Sequence, residues 1–283
     1  NPERISINIS STAGSQDSVY FRFKYEGQWD YAWMIDDVAF VETPNNFATI
    51  NNAVIGGWWV GYQVSGGIGC DYTFNPEPQV SSNPYKFEAV LKNAGVANQN
   101  MTLHTEVFDQ VMNSVFTSTS NSILLTASQQ DTFTVNSVFS PQNLGLYEIR
   151  MWGVGDSANT DTITKQTIIT SYTYGKDLND YSGSYTLANA SRQNHITSYY
   201  DIYANSDLYS VDIYVAGWSV PGAKIYGILY ENDPATTEPI YLSQTDDYTI
   251  TNDDLENWVT LSFNNPVPLF AGTGYEIGAA GYQ

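Results

Sequence analysis

The chain has 283 residues and carries 30 acidic against 10 basic side chains, a net charge of −20. That balance argues against a nucleic-acid partner, whose phosphates need a basic face, and against anionic membrane surfaces. No apolar run is long enough for a membrane span. The single cysteine, Cys70, cannot form an internal disulfide. The 22 tyrosines and many threonines are strand formers, and Ala-, Leu- and Glu-rich helical stretches are missing. An all-β chain of tandem antiparallel β-sandwiches is expected. Asn1 follows no initiator Met and no signal peptide opens the chain, so a processed or truncated start is expected.

Residues 1–43 read as three strands, Arg4–Ile9, Ser18–Tyr25 and Trp33–Val41. Val19, Phe21, Phe23 and Tyr25 alternate with Tyr20, Arg22 and Lys24, as a two-residue strand period requires. Asp36 and Asp37 stand side by side inside the apolar run Tyr31–Phe40. On a strand they point to opposite faces, so one of them needs a cation, an arginine or backbone N–H groups. Three strands cannot close a sandwich, so this segment is expected to finish a domain whose front half lies outside the chain.

Val19–Tyr25, Trp29 and Trp33-Met-Ile-Asp-Asp-Val38 resemble the closing strands of MAM-like and cleaved-adhesin jelly rolls. These are concanavalin-like sandwiches of secreted Bacteroidetes proteins, and some members hold a structural calcium. The resemblance implies Asp36 and Asp37 as calcium ligands. The remaining candidates for that cation are Asp177/Asn179/Asp180, Asp246/Asp247 and Asp253/Asp254, because calcium takes hard oxygen ligands.

Thr43–Asn46 is a polar linker, and residues 47–82 are rich in Gly and aromatics, with Pro76 and Pro78 breaking any long strand. From Tyr85 the pattern becomes regular. Strands are expected at Tyr85–Leu91, Met101–Phe108, Ser114–Thr119, Thr132–Val138, Gly145–Val154 and Thr162–Ser171. Short strands at even spacing predict an antiparallel sandwich over 44–172. Phe87–Gly95 resembles the Ig-like, CARDB-like spacer modules of bacterial surface proteins, in which an apolar strand ends in Asn-x-Gly. Gly95 is expected to adopt a left-handed turn conformation there.

A second jelly-roll-like sandwich is expected over 173–283, incomplete at its C-terminus. Its strands are Thr197–Ala204, Leu208–Val215, Ala223–Tyr230, Ile240–Ser243, Trp258–Phe263 and Gly274–Ala279.

Catalytic chemistry finds little support. Nucleophilic catalysis needs a base beside the nucleophile, and the two histidines, His104 and His195, are isolated. Cys70 has no basic neighbour to lower its pKa. No zinc spacing, P-loop, dinucleotide fingerprint or Gly-x-Ser-x-Gly elbow occurs. Among thirty acids no pair stands out as a glycosidase dyad.

Trp58, Trp59 and Trp218 lie near turns and are the candidate carbohydrate-stacking residues, with packing against a neighbour as the competing role. Ser18, Ser157 and Thr162 fit the short Bacteroidetes O-glycosylation pattern, the last two in one turn region between modules. Asn8, Asn100 and Asn189 fit the N-glycan pattern, expected to be unused in a bacterium.

The expected function is a non-catalytic adhesin or spacer segment of a large secreted or cell-surface protein, exported by type IX secretion. Its partners would be surface glycans or proteins and the secretion machinery, and its location extracellular or on the outer cell surface. Alternatives are the accessory region of a secreted protease or glycosidase, and a carbohydrate-binding module.

Overall fold

The computed structural model describes residues 7, 9–14, 16–26, 35, 37–40, 42–60, 70–177, 184, 194–232 and 239–282. Asn1–Glu42 and Thr43–Gln283 form separate compact units. The chain is nearly all β, in several antiparallel sheets.

In the first unit the described residues include a single helical turn, α1 (Ser10–Ala13), and no strand. The strand expected at Ser18–Tyr25 does not form. Its alternating apolar residues Val19, Phe21, Phe23 and Tyr25 are all exposed. An extended segment becomes a stable strand only when a neighbour takes its N–H and C=O groups and covers one face, and these side chains keep substantial solvent exposure. Phe21 instead makes edge contacts with Phe23 and Phe40, at centroid distances of 5.4 and 5.1 Å. Of the other two expected strands, residues 7, 9, 35 and 37–40 are described and carry no strand; the rest lies outside the described residues.

The second unit opens with β1 (Ala48–Val54), a 3-10 turn (Gly56–Trp58), β2 (Trp59–Val60), β3 (Cys70–Asp71), β4 (Phe74–Pro76) and α2 (Glu77–Ser82). Pro76 ends β4 and caps α2, and Pro78 sits in its first turn, where a missing N–H costs nothing. Then come β5 (Glu88–Asn93), β6 (Gln99–Phe108), β7 (Ser114–Thr119), β8 (Ile123–Leu125), β9 (Gln130–Thr134), β10 (Gly145–Val154) and β11 (Asn159–Thr170). One sheet has the order β1-β5-β9. The facing sheet has the order β4-β11-β10-β6-β7, with β8 added to β6. β4 joins β11 in parallel; the other pairs are antiparallel.

Strict alternation builds the core of this first sandwich. β6 turns Met101, Leu103, Thr105 and Val107 inward, and β10 turns Tyr147, Ile149 and Met151 inward. Ala89 and Leu91 of β5 meet them from the opposite sheet. Gly95 departs from expectation. It does not take a positive φ. A Cβ there would stand 2.5 Å from the Asn45 carbonyl oxygen and 2.8 Å from the Phe47 nitrogen. The glycine is needed because the linker backbone lies directly against it.

The second sandwich contains β12 (Asn194–Ile202), β13 (Ser206–Val215), β14 (Lys224–Asn232), β15 (Pro239–Gln244), β16 (Tyr248–Thr249), β17 (Asn257–Leu269) and β18 (Thr273–Gly281). A 3-10 turn at Asn252–Asp254 precedes β17. One sheet runs β12-β18-β14-β15 with β16 on β14, and β13 pairs with β17 in the other. Leu229, Tyr275, Val211 and Phe263 form one core cluster; Ile225, Val215, Val259 and Leu261 form another. No described helix is long and apolar enough to cross a membrane.

Candidate functional site

The two sandwiches meet through aromatic rings and one amide. Trp58 is fully buried, and its indole N–H donates to the Asn83 carbonyl at 2.9 Å. Its ring lies 5.6 Å from Tyr72, 5.7 Å from Tyr85, 6.0 Å from Tyr174 and 5.1 Å from Tyr203. Tyr72 stacks on Tyr174 at 5.3 Å. Tyr174 packs against the cores of both sandwiches, so the two cores are continuous there.

Polar groups inside this joint are paired across it. The buried Gln79 of α2 accepts the N–H groups of Tyr203 and Ala204 on Oε1, at 2.7 and 3.0 Å. Its Nε2 donates to the Ala204 carbonyl at 2.7 Å. The Tyr72 hydroxyl accepts the Asp201 N–H at 3.0 Å, and Tyr174 donates to the Asp201 carbonyl at 2.7 Å. Tyr203 donates to the Gly57 carbonyl at 3.1 Å, and a Cβ on Gly57 would crowd that hydroxyl at 2.9 Å. The Lys176 ammonium sits over the Tyr72 and Tyr200 rings at 4.4 and 4.6 Å, in cation–π range.

Burial dominates the electrostatics of these phenols. Removal from water disfavours the phenolate, so Tyr72, Tyr85 and Tyr174 ionise well above the usual tyrosine range. Tyr203 is pushed up to about 12, chiefly by burial and then by the Asp201 carboxylate. Tyr85 is held by the hydroxyl of Thr167 at 3.1 Å and by the amide of Asn75 at 2.9 Å. This network closes the joint end of the first sandwich.

The structure disperses the residues singled out from sequence. Trp58 is core, and a ring enclosed on all sides offers no face to a sugar. Trp59 pairs through its backbone with Asp71, and its side chain is outside the described set. Trp218 is 57% exposed in a turn, with its indole N–H donating to Ser184 at 2.6 Å. Asp36 lies outside the described residues; Asp37 is exposed, with φ at +48°. Asn179 and Asp180 also lie outside them. Asp246 accepts the Asn264 amide at 3.1 Å, and Asp247 pairs with Lys224 at 3.2 Å. Asp254 caps the 3-10 turn, taking the Thr251 N–H and hydroxyl at 2.7 and 2.8 Å. The backbone bond from Thr251 leads in holding its carboxyl below the usual carboxylate range. Among the described residues no three His, Cys, Asp or Glu side chains converge as metal ligands.

Ser18, Ser157 and Thr162 are exposed. Ser157 lies in the β10–β11 hairpin and Thr162 on β11, so both belong to the first sandwich and not to a turn between modules. His104 stacks on Trp152 at 5.7 Å, and partial burial lowers its pKa from the usual value. His195 hydrogen-bonds the Tyr230 hydroxyl.

Sequence reasoning passed over Gln79 and the tyrosines of 199–203. One signal was available. A glutamine following Pro-x-Pro, in a stretch too broken for a strand, marks a short helix whose polar side chain needs a partner. No protein-family model matches this chain, and no curated protein matches it.

Proposed function

We propose that this chain is a non-catalytic adhesin or spacer segment of a larger secreted or cell-surface protein, in which the two sandwiches act as one stiff body. The joint carries this reading. A buried glutamine bonded to two N–H groups and a carbonyl of its neighbour, within continuous aromatic packing, resists hinge motion. Domains in tandem reorient by default unless apolar packing joins them, and here Tyr174 packs against both cores. Both histidines are engaged with aromatic residues, His104 with Trp152 and His195 with Tyr230, which suits a structural role.

An extracellular location and export of the type IX kind are supported by the sequence resemblances and by the strongly acidic composition. The exposed Ser18, Ser157 and Thr162 are then sites for O-glycans.

The test is 15N relaxation on the whole chain. Amides of the first sandwich, such as Leu103, and of the second, such as Leu229, should report one rotational correlation time. Two distinct times would overturn the spacer reading.

A further inference from the structure

The sheet β12-β18-β14-β15 carries rings that its own sandwich core does not use. Its inner face sends Ile225, Leu229 and Tyr275 into the core. The outer face of a sandwich sheet is ordinarily polar, yet here Tyr226, Ile228 and Ala280 form a separate buried cluster with Tyr230 against it.

Register explains how the rings meet. His195, Ala280 and Tyr226 align in one row across three strands, and Glu276, Tyr230 and Tyr241 align in another. His195 and Tyr226 belong to strands two apart, about 10 Å at ordinary strand spacing. Between them β18 presents only Gly278 and Ala280. The imidazole therefore reaches across β18: Nδ1 hydrogen-bonds the Tyr230 hydroxyl, and Nε2 lies 3.5 Å from that of Tyr226. Ring contact continues from Tyr226 to Tyr282 at 5.1 Å and from Tyr230 to Tyr241 at 6.1 Å. Tyr226 is a buried floor at 3% exposure, while Tyr282 and Tyr241 stand 41% and 53% exposed.

The band has a polar border. Glu276 accepts the Thr197 hydroxyl at 2.8 Å, and Asp247 accepts that of Tyr282 at 2.9 Å. Asp247 also neutralises the Lys224 ammonium. Exposed aromatic rings with carboxylate acceptors beside them match the two sides of a pyranose, C–H groups against rings and hydroxyls toward acceptors. A polyanion would meet Glu276 and a lysine that is already paired.

We infer that this outer face binds a neutral polysaccharide across β12, β18, β14 and β15. The site is built from residues other than Trp218 and the Gln79 contacts.

Affinity electrophoresis of the whole chain tests it, in gels containing β-glucan, xylan or mannan, with alginate as the polyanion. At least one neutral polymer should retard the protein, and alginate should not. Tyr241→Ala and Tyr282→Ala truncate exposed rings, so each should keep the wild-type circular dichroism spectrum while weakening retention at least tenfold. Trp218→Ala should bind as wild type. Absence of retardation by all three neutral polymers, retardation by alginate alone, or undiminished binding by the Tyr241→Ala/Tyr282→Ala double variant would overturn the inference. None of these outcomes bears on the spacer reading, because relaxation reports the joint and not this face.

Discussion

The side-chain oxygen of Gln79 accepts the backbone N–H of Tyr203 at 2.7 Å, although 124 residues separate them. This contact ties a one-and-a-half-turn helix in the first sandwich to the connection between β12 and β13, which crosses from one sheet of the second sandwich to the other. Because Gln79 also holds Ala204 through both its N–H and its carbonyl, one side chain satisfies three backbone groups at the junction.

Replacing Gln79 with Ala would leave those groups unpaired in a partly buried setting. A single orphaned group costs about 1–3 kcal/mol, so a loss of roughly 3 kcal/mol is expected at the joint. Thermal unfolding of the wild type should follow one transition across residues 43–283. Gln79→Ala should split it into two, read by calorimetry. One unsplit transition, shifted by less than a degree, would show that the amide does not couple the sandwiches.

Trp58 should be silent to solvent. Acrylamide should quench Trp218, which is 57% exposed, and leave a blue-shifted component from Trp58, which is fully buried. Trp58→Phe should remove that component. Trp58→Ala should destabilise the fold by about 3–5 kcal/mol, the usual cost of deleting a large buried ring. Full quenching of a blue-shifted component that Trp58→Phe removes would contradict a sealed joint.

Gly95 separates two causes of glycine preference. If a left-handed conformation were required, Asn would be tolerated better than Ala. Here the obstacle is the backbone of Asn45 and Phe47 within 3 Å of any Cβ. Gly95→Ala and Gly95→Asn should therefore both destabilise, by about 1–3 kcal/mol as overpacking generally does. Urea denaturation would measure it. Rescue by Asn would restore the conformational explanation.

The joint should also be alkali-sensitive in a defined window. An unfolded tyrosine ionises near 10, whereas Tyr203 is raised to about 12 and Tyr72 and Tyr174 higher still. Below pH 10 these phenols are protonated in both states and their contribution to stability is intact. Above it the unfolded chain loses protons first, so stability falls as pH rises from 10 through 12. Absorbance at 295 nm should show a late tyrosine fraction that titrates together with loss of near-ultraviolet circular dichroism. Complete titration near pH 10 with the fold intact would refute the burial of these groups.

Much of the strand pattern was legible from residues alone. Met101, Leu103 and Val107 on β6, and Tyr147, Ile149 and Met151 on β10, alternate with polar neighbours, and that period is local to each strand. The same signal misled at Val19–Tyr25. There the alternation is present, but the segment is not a strand and its apolar residues stay exposed. Alternation reports what a strand would bury and says nothing of whether a partner edge is available.

The sequence by itself determined the all-β class and most strand positions of residues 88–281, because side-chain period and turn residues act over a few neighbours. Only the tertiary structure decided the roles. It sent Trp58 into the joint, paired Gln79 with Tyr203 and Ala204, and let His195 cross β18 to Tyr230 over Gly278 and Ala280. These contacts depend on sheet order and on docking between segments far apart in the chain, and a turn-scale pattern carries no record of either.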